Sequence, residues 1–262
     1  MILKQVAIVA AEDTRRTRVL LDEIGAAPRQ LISLADHNEA ERSERVLRLL
    51  AAGDDVALVS DAGTPLISDP GYELVRAAFA AGVKLEPIPG PSAVMAALSV
   101  SPLPVERFYF EGFLPSKASH RRRRLEALAH LDVSLVCFEA ARRLADALAD
   151  IAAVMGAERR VYLAKELTKI HERLTAGSAG ALAQTAQSDP EFALGEYVVV
   201  IAPDVRATTT LSDAGRQLIR TLCEELPRAQ AARLAARALG VPKAVAYDFA
   251  ESLKAAPSQE GG

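Results

Sequence analysis

The sequence predicts an α/β protein in two halves with a small helical segment after them. Short β-branched runs alternate with longer helical patterns over roughly the first 110 residues, as they do in parallel sheets assembled from βαβ units. A connector, "EGFLPSKAS" (111–119), then leads into a second half that again mixes strands and helices, and after Pro203 the composition shifts to Ala, Arg and Leu. At 262 residues the chain is long enough for two domains. The expected boundaries are 1–112 and 113–205 for the α/β halves and 206–262 for the helical segment with its disordered tail.

In the first half the candidate strands are Val6–Ala10, Gln30–Leu34, Val56–Ser60, Val83–Ile88 and Arg107–Phe110. Between them, Glu39–Ala52 places Val46, Leu49 and Leu50 on one face and stops at Gly53, and Tyr72–Ala81 stops at Gly82. Both glycines sit where a left-handed helix cap is expected. In the second half Val133–Phe138, Arg160–Ala164 and Glu196–Ile201 read as strands, with Arg142–Met155 a helix. The last segment, about 211–254, reads as two short helices joined by "LGVP" (239–242), a helix-turn-helix-like turn. It carries seven Lys/Arg against five Asp/Glu, whereas the whole chain has a net charge of −3. A slightly acidic chain has no global attraction for nucleic acid, so any such binding comes from local patches.

Composition excludes several classes. With 50% hydrophobic and 25% charged residues, and prolines spread along the chain, the protein reads as globular rather than disordered. No apolar stretch approaches the ~20 residues needed to cross a bilayer. "MILKQVAIVAAEDTRR" has no A-x-A-like cleavage site because acidic residues follow at once, which predicts a cytoplasmic protein. Cys137 and Cys223 lie far apart without metal-ligand spacing, so no disulfide framework and no metal are expected. His37 and His171 lack partners at metal or triad spacing and read as non-catalytic.

Right-handed crossovers put the loops at the strand C-termini on one sheet edge, where ligands bind in such folds. Three loops there carry chemistry: "AAEDTRR" (10–16), "DAGTPLISDPG" (61–71) and "PGPSA" (89–93). In the second, Gly63 lets backbone approach a ligand, while Asp69 and Pro70 suit the N-cap and first position of the following helix. That loop reads equally as ligand grip or as structural turn. In the third, Ser92 suits a helix cap. Neither loop matches GxxxxGK[ST] or GxGxxG, which disfavours a P-loop or an ordinary dinucleotide site. Glu139 follows one strand, and Lys165 and Glu166 follow another, where they could transfer protons or form salt bridges at a sheet edge. "KASHRRRR" (117–124) puts five basic residues within eight, either a solvated face or a phosphate track.

"AAEDTR", "DHNE", "VSDAGTPLISDPG", "PGPSA", "EGFLP" and "KELTK", in this order and spacing, resemble the bacterial small-subunit ribosomal RNA cytidine 2′-O-ribose methyltransferases of the tetrapyrrole-methylase superfamily. The resemblance runs from about Leu3 to the C-terminus. It implies two α/β domains with S-adenosylmethionine in the cleft between them, a homodimer, and a substrate in 16S ribosomal RNA of the 30S subunit. Carried over, the cofactor loops fall on Ala62, Gly63, Thr64 and Ile67 and on Ser92 and Ala93, with a second-domain contribution near Phe138. Glu139, Lys165 and Glu166 are the candidate catalytic residues, and Arg121, Arg122, Arg123, Arg124 and Lys243 the candidate RNA contacts.

Two departures from the family pattern bear on this reading. Members usually carry a first strand ending in a loop like "TPIGNL", whereas "ILKQVAIVAAEDTR" aligns with the end of the first helix and the second strand. A missing internal strand would leave a gap in the parallel sheet and remove one wall of the cofactor cleft. Arg142 stands where the family typically has a histidine. Two readings therefore compete with the enzyme: an RNA-binding remnant lacking part of the cofactor site, and a small-tetrapyrrole methylase.

Overall fold

Four residues with no exposed surface, Ile8–Ala11 (β1), form the middle of a three-stranded parallel sheet ordered β2-β1-β3. The computed structural model describes residues 2–35, 39–204 and 211–253, divided into two units, Met1–Val100 and Ser101–Gly262. In the first unit β2 is Gln30–Ser33 and β3 is Val56–Val59, with Ile8 opposite both Gln30 and Val56. The crossovers are α1 (Thr14–Ile24) and α2 (Glu39–Ala51), followed by α3 (Tyr72–Ala80) and α4 (Ala93–Ser99). Ile8, Ala10, Ile32, Leu34, Val46 and Leu74 form the core that these parallel connections enclose. Gly53 and Gly82 follow α2 and α3 with φ of +90° and +73°, the left-handed conformation expected there.

Two expectations for this unit are corrected. Val83–Ile88 forms no strand: most of it is exposed, and among the described residues no neighbouring strand pairs with its backbone. Asp69 and Pro70 do not start α3. The N-cap is Gly71, which has no side chain to offer, and Glu39 Oε1 at the start of α2 instead accepts from the Gly71 and Glu73 N–H groups at 3.0 and 2.8 Å. A carboxylate from a neighbouring helix thus satisfies the free donors of the first turn.

The second unit begins earlier than the expected boundary, because the strand anticipated at 107–110 is β4 (Phe108–Phe113) and pairs with β5 (Ser134–Ala140) of the second sheet. Between and after them come α5 (Ala118–Leu128), α6 (Ala141–Met155), β6 (Arg160–Lys165), β7 (Arg173–Ser178), α7 (Ala179–Ser188) and β8 (Glu196–Ile201). The sheet order is β4-β5-β8-β6-β7, parallel for β4–β5 and antiparallel elsewhere. Leu135, Cys137, Val161, Leu163, Val199 and Ile201 join Leu144, Leu148 and Ile151 of α6 in one core. β7, "RLTAGS", escapes a sequence reading because it is a largely exposed edge strand with little apolar alternation.

The terminal segment holds three helices rather than two: α8 (Asp213–Glu225), α9 (Arg228–Leu239) and α10 (Lys243–Ser252). Pro227, which cannot donate a helical hydrogen bond, separates α8 from α9. Small side chains, among them Ala232, Ala235, Ala236, Ala246 and Ala250, pack around Ile219. His37 with most of "DHNE", and the tail beyond Leu253, lie outside the described residues. Among the described residues no helix is long and apolar enough to cross a membrane.

Candidate active site

In the first unit the three loops singled out by sequence share one edge. The Asp61 N–H donates to Glu12 Oε2 at 3.2 Å, the Asp13 N–H donates to Asp61 Oδ1 at 3.1 Å, and Arg16 lies 3.5 Å from Asp61 Oδ2. These cross-links tie the end of β1 to the end of β3. Thr64 Oγ1 donates to the Pro91 carbonyl at 2.9 Å, which ties the second loop to the third. Ser92 caps α4 by accepting from the Met95 N–H at 3.3 Å. The Arg15 guanidinium beside Asp13 lowers that carboxyl to about 2.

The backbone of 61–71 takes up unusual conformations. Leu66 and Ser68 have φ of +73° and +68°, in the left-handed region that non-glycine residues seldom occupy, and Gly63 has φ +99°. Strain of this kind persists where a surrounding framework over-determines it, as at ligand sites. Ala62, Gly63, Thr64, Ile67 and Ala93 are all exposed on this edge, and Ser92 is half-buried.

In the second unit the sheet register sorts the other candidates onto opposite faces. Glu139, Tyr197 and Lys165 lie in one row across β5, β8 and β6, on the face that packs against the core, since Tyr197 belongs to that core. Phe138, Val198 and Ala164 form the neighbouring row on the other face, where the Phe138 ring packs 5.1 Å from Phe110 and 5.5 Å from Phe113. Side chains alternate along a strand, so Glu139 and Phe138 cannot serve one ligand from one face.

Glu139 is 1% exposed, pairs with Arg143 at 3.0 Å and accepts from the Ala140 N–H at 2.9 Å. Burial raises its carboxyl above the usual range and outweighs Arg143. Lys165 donates from Nζ to the Glu191 carbonyl at 2.6 Å and is 8% exposed. Glu139 is thus tied to the first turn of α6, and Lys165 to the turn at 190–193. Glu166 differs: it turns away from β6 with φ +46°, accepts from Lys169 Nζ at 3.0 Å and from the Glu196 N–H at 2.9 Å, and is held below the ordinary carboxylate range chiefly by Lys169. The bare Gly195 backbone makes room for it, because a Cβ there would come within 2.7 Å of Glu166 Cγ.

Tyr162 escaped the sequence reading. It sits on the Phe138 face, in the row with Val136 and Val200, and its buried hydroxyl has no hydrogen-bond partner among the described residues. Burial and the Glu172 carboxylate raise its pKa. In a sequence it is one more aromatic residue in a strand; only its orphaned hydroxyl marks it.

The basic run divides. Arg121 is 3% exposed and donates from Nε to Asp150 Oδ2 at 2.7 Å, which makes it part of the interior. Arg122 reaches the other oxygen of Asp150 at 2.5 Å, and Arg124 engages Glu111 at 2.6 and 2.7 Å. Arg123, Lys243 and Arg142 are exposed without ion pairs among the described residues. No cluster of three or more His, Cys, Asp or Glu is placed to hold a metal among the described residues.

A family model described as Tetrapyrrole (Corrin/Porphyrin) Methylases matches residues 1–183, and fold and sheet-edge site together define a protein of that class. A second model, described as the RsmI C-terminal HTH domain, matches residues 209–254. The Ribosomal RNA small subunit methyltransferase I of Xylella fastidiosa (strain Temecula1 / ATCC 700964) is 46% identical over 94% of this chain and 90% of its own length. The protein of the same name from Escherichia coli O157:H7 is 43% identical over 95% of this chain and 87% of its own. The chain belongs to the ribosomal RNA small subunit methyltransferase I family. Among solved structures, the uroporphyrin-III C-methyl transferase of Thermus thermophilus complexed with S-adenyl homocysteine superposes with a TM-score of 0.52 at 17% identity, covering 78% of this chain and 89% of that one. At that identity the likeness speaks to the fold alone.

Proposed function

We propose that this chain transfers a methyl group from S-adenosylmethionine to the 2′-hydroxyl of a cytidine in 16S ribosomal RNA of the small-subunit decoding centre, acting in the cytoplasm as a homodimer. The observation that carries the reading is the similarity to ribosomal RNA small subunit methyltransferases I at 43–46% identity, which runs through the methylase halves and the terminal helices alike. The finer assignment to a cytidine 2′-hydroxyl rests on the six ordered motifs. Exposed Tyr72, Phe79 and Met95 of the first unit support an apolar surface for a second copy.

The residues present fit the cofactor. Gly63 offers bare backbone beside the Pro91 carbonyl, where a Cβ would stand 3.7 Å away, and Thr64 ties that loop to the loop carrying Ser92 and Ala93. Ala62, Gly63, Thr64, Ile67, Ser92 and Ala93 of the first unit would hold it. Bound there, S-adenosylmethionine supplies an electrophilic methyl on sulfur, which leaves the protein to align the ribose and remove one proton.

Of the three candidates for that proton, Glu139 and Lys165 are committed to strand ends, which leaves Glu166. The ribose hydroxyl becomes acidic only as its oxygen bonds to the methyl, so a carboxylate kept ionised by Lys169 suffices as acceptor. The test is methylation of 30S subunits from an unmethylated strain with labelled cofactor, followed by nucleoside analysis. Label recovered as 2′-O-methylcytidine supports the proposal. Label in another nucleoside, or transfer to a porphyrinoid instead, overturns it, and absence of cofactor binding favours the remnant.

A further inference from the structure

The segment formed by α8 to α10 holds a cavity of about 440 Å³ between α9 and α10, a volume suited to one small ligand. Three alanines line it: Ala232 is buried, while Ala229 and Ala244 are exposed. Arg233 of α9 and Lys243 of α10 also line it, both exposed, and neither has an ion pair among the described residues. Tyr247, 46% exposed, and the adjacent Asp248 complete its lining.

This combination suits an unpaired nucleotide better than any other ligand. A nucleobase has two apolar faces, which an exposed tyrosine ring can stack against beside alanine methyl groups. Its phosphate matches two unpaired cations, and the first turn of α10 begins at Lys243 with no side-chain cap on its free N–H groups. A carboxylate beside the ring accepts hydrogen bonds from an exocyclic amino group, as Asp does from cytosine N4, and repels the carbonyl oxygen that uracil carries at the equivalent position. We propose that the α9–α10 cavity is a single-nucleotide subsite: Tyr247 stacks on an unpaired, amino-bearing base of the RNA, Asp248 reads the amino group, and Arg233 and Lys243 hold the adjoining phosphate. The inference rests on the RNA-methylating function proposed above and supplies a recognition point in the terminal segment, separate from the residues assigned to methyl transfer.

The experiment uses the full chain and fluorescein-labelled short oligocytidylate and oligouridylate in anisotropy titrations, with 30S methylation kinetics in parallel. The wild type should prefer oligocytidylate. Tyr247→Ala should weaken both complexes about tenfold, while Tyr247→Phe, which keeps the stacking face, leaves them unchanged. Asp248→Asn should abolish the preference. Arg233→Gln with Lys243→Gln should reduce the salt slope of binding by about 0.7, one phosphate contact on a single strand. On 30S subunits Tyr247→Ala should raise KM about tenfold and leave kcat and cofactor affinity alone. Unchanged oligonucleotide binding in these variants, or no binding to either oligonucleotide at low salt, overturns the subsite. A rise in 30S KM without any oligonucleotide effect assigns the surface to a ribosomal protein and overturns it too. A wild type that fails to methylate 30S but shows the oligonucleotide effects refutes the proposed function and leaves the subsite standing.

Discussion

Replacing Asp150 by alanine should destabilise the second unit severely while leaving RNA affinity per folded molecule unchanged. The carboxylate sits on α6 with its side chain 4% exposed, and its two oxygens take Arg121 at 2.7 Å and Arg122 at 2.5 Å. Without it the Arg121 guanidinium, equally buried, keeps only the Ser116 and Pro115 carbonyls at 3.2 and 3.4 Å among the described residues. Breaking a buried pair by deleting one partner costs about 3–5 kcal/mol, because the remaining charge is left uncompensated. The Arg122 contact adds little, since that side chain is 59% exposed. At about 2–4 °C per kcal/mol for a unit of this size, Tm should fall by roughly 10 °C. Thermal unfolding followed by circular dichroism measures it, beside anisotropy titrations with an RNA fragment below the transition. Arg123→Ala, in the same run of four arginines, should do the reverse, leaving Tm in place and weakening RNA binding with a smaller salt slope. A drop under ~2 °C for Asp150→Ala would refute the argument, because a buried charge cannot lose its partner that cheaply. So would an Arg121→Met protein of wild-type Tm with impaired RNA binding.

Further predictions concern the site. Glu166→Gln keeps an oxygen to accept from the Glu196 N–H but loses the charge, and should lower kcat about 100-fold with little change in KM; a kcat within threefold removes Glu166 as proton acceptor. In the wild type the rate should stay flat through neutrality and fall only as pH drops through the depressed Glu166 value, measurable as a pH–rate profile. Gly63→Ala forces a side chain into φ +99°, a strain of about 1–3 kcal/mol, and should weaken cofactor binding several-fold by calorimetry; wild-type affinity would take the cofactor off this loop. The Asp13 carboxyl should titrate at about 2 by carbon NMR instead of its ordinary 3.8, and Arg15→Ala should move it part of the way back, since the backbone N–H groups of residues 15 and 16 still donate to it. Since the folded value is the lower one, the stabilisation from Asp13 is present above about 4 and is lost as pH falls toward 2.

Much of the fold was legible in local chemistry. β-Branched runs ended by glycine and proline located seven of the eight strands to within a few residues, and the crossover rule placed three loops on one edge, where Asp61 and Thr64 link them. What local chemistry could not supply was the partner of each group. Val83–Ile88 has the composition of a strand but among the described residues lacks a neighbour to pair with, and Phe108–Phe113 joins the sheet of the second unit because β5 lies beside it there. The cap of α3 comes from Glu39, more than thirty residues upstream, where a reading of adjacent residues points to Asp69.

The candidate site divides in the same way. Sequence by itself determined the residue types: a backbone-rich loop at 61–71, acidic and basic groups after two strands, and a run of four arginines at 121–124. Tertiary structure alone decided what each does, since charge and reactivity depend on burial and on partners distant along the chain. Strand alternation turns Glu139 and Lys165 into the helix-covered interior and Phe138 with Tyr162 to the opposite face, and Asp150 draws Arg121 inside while Arg123, two positions on, stays in water.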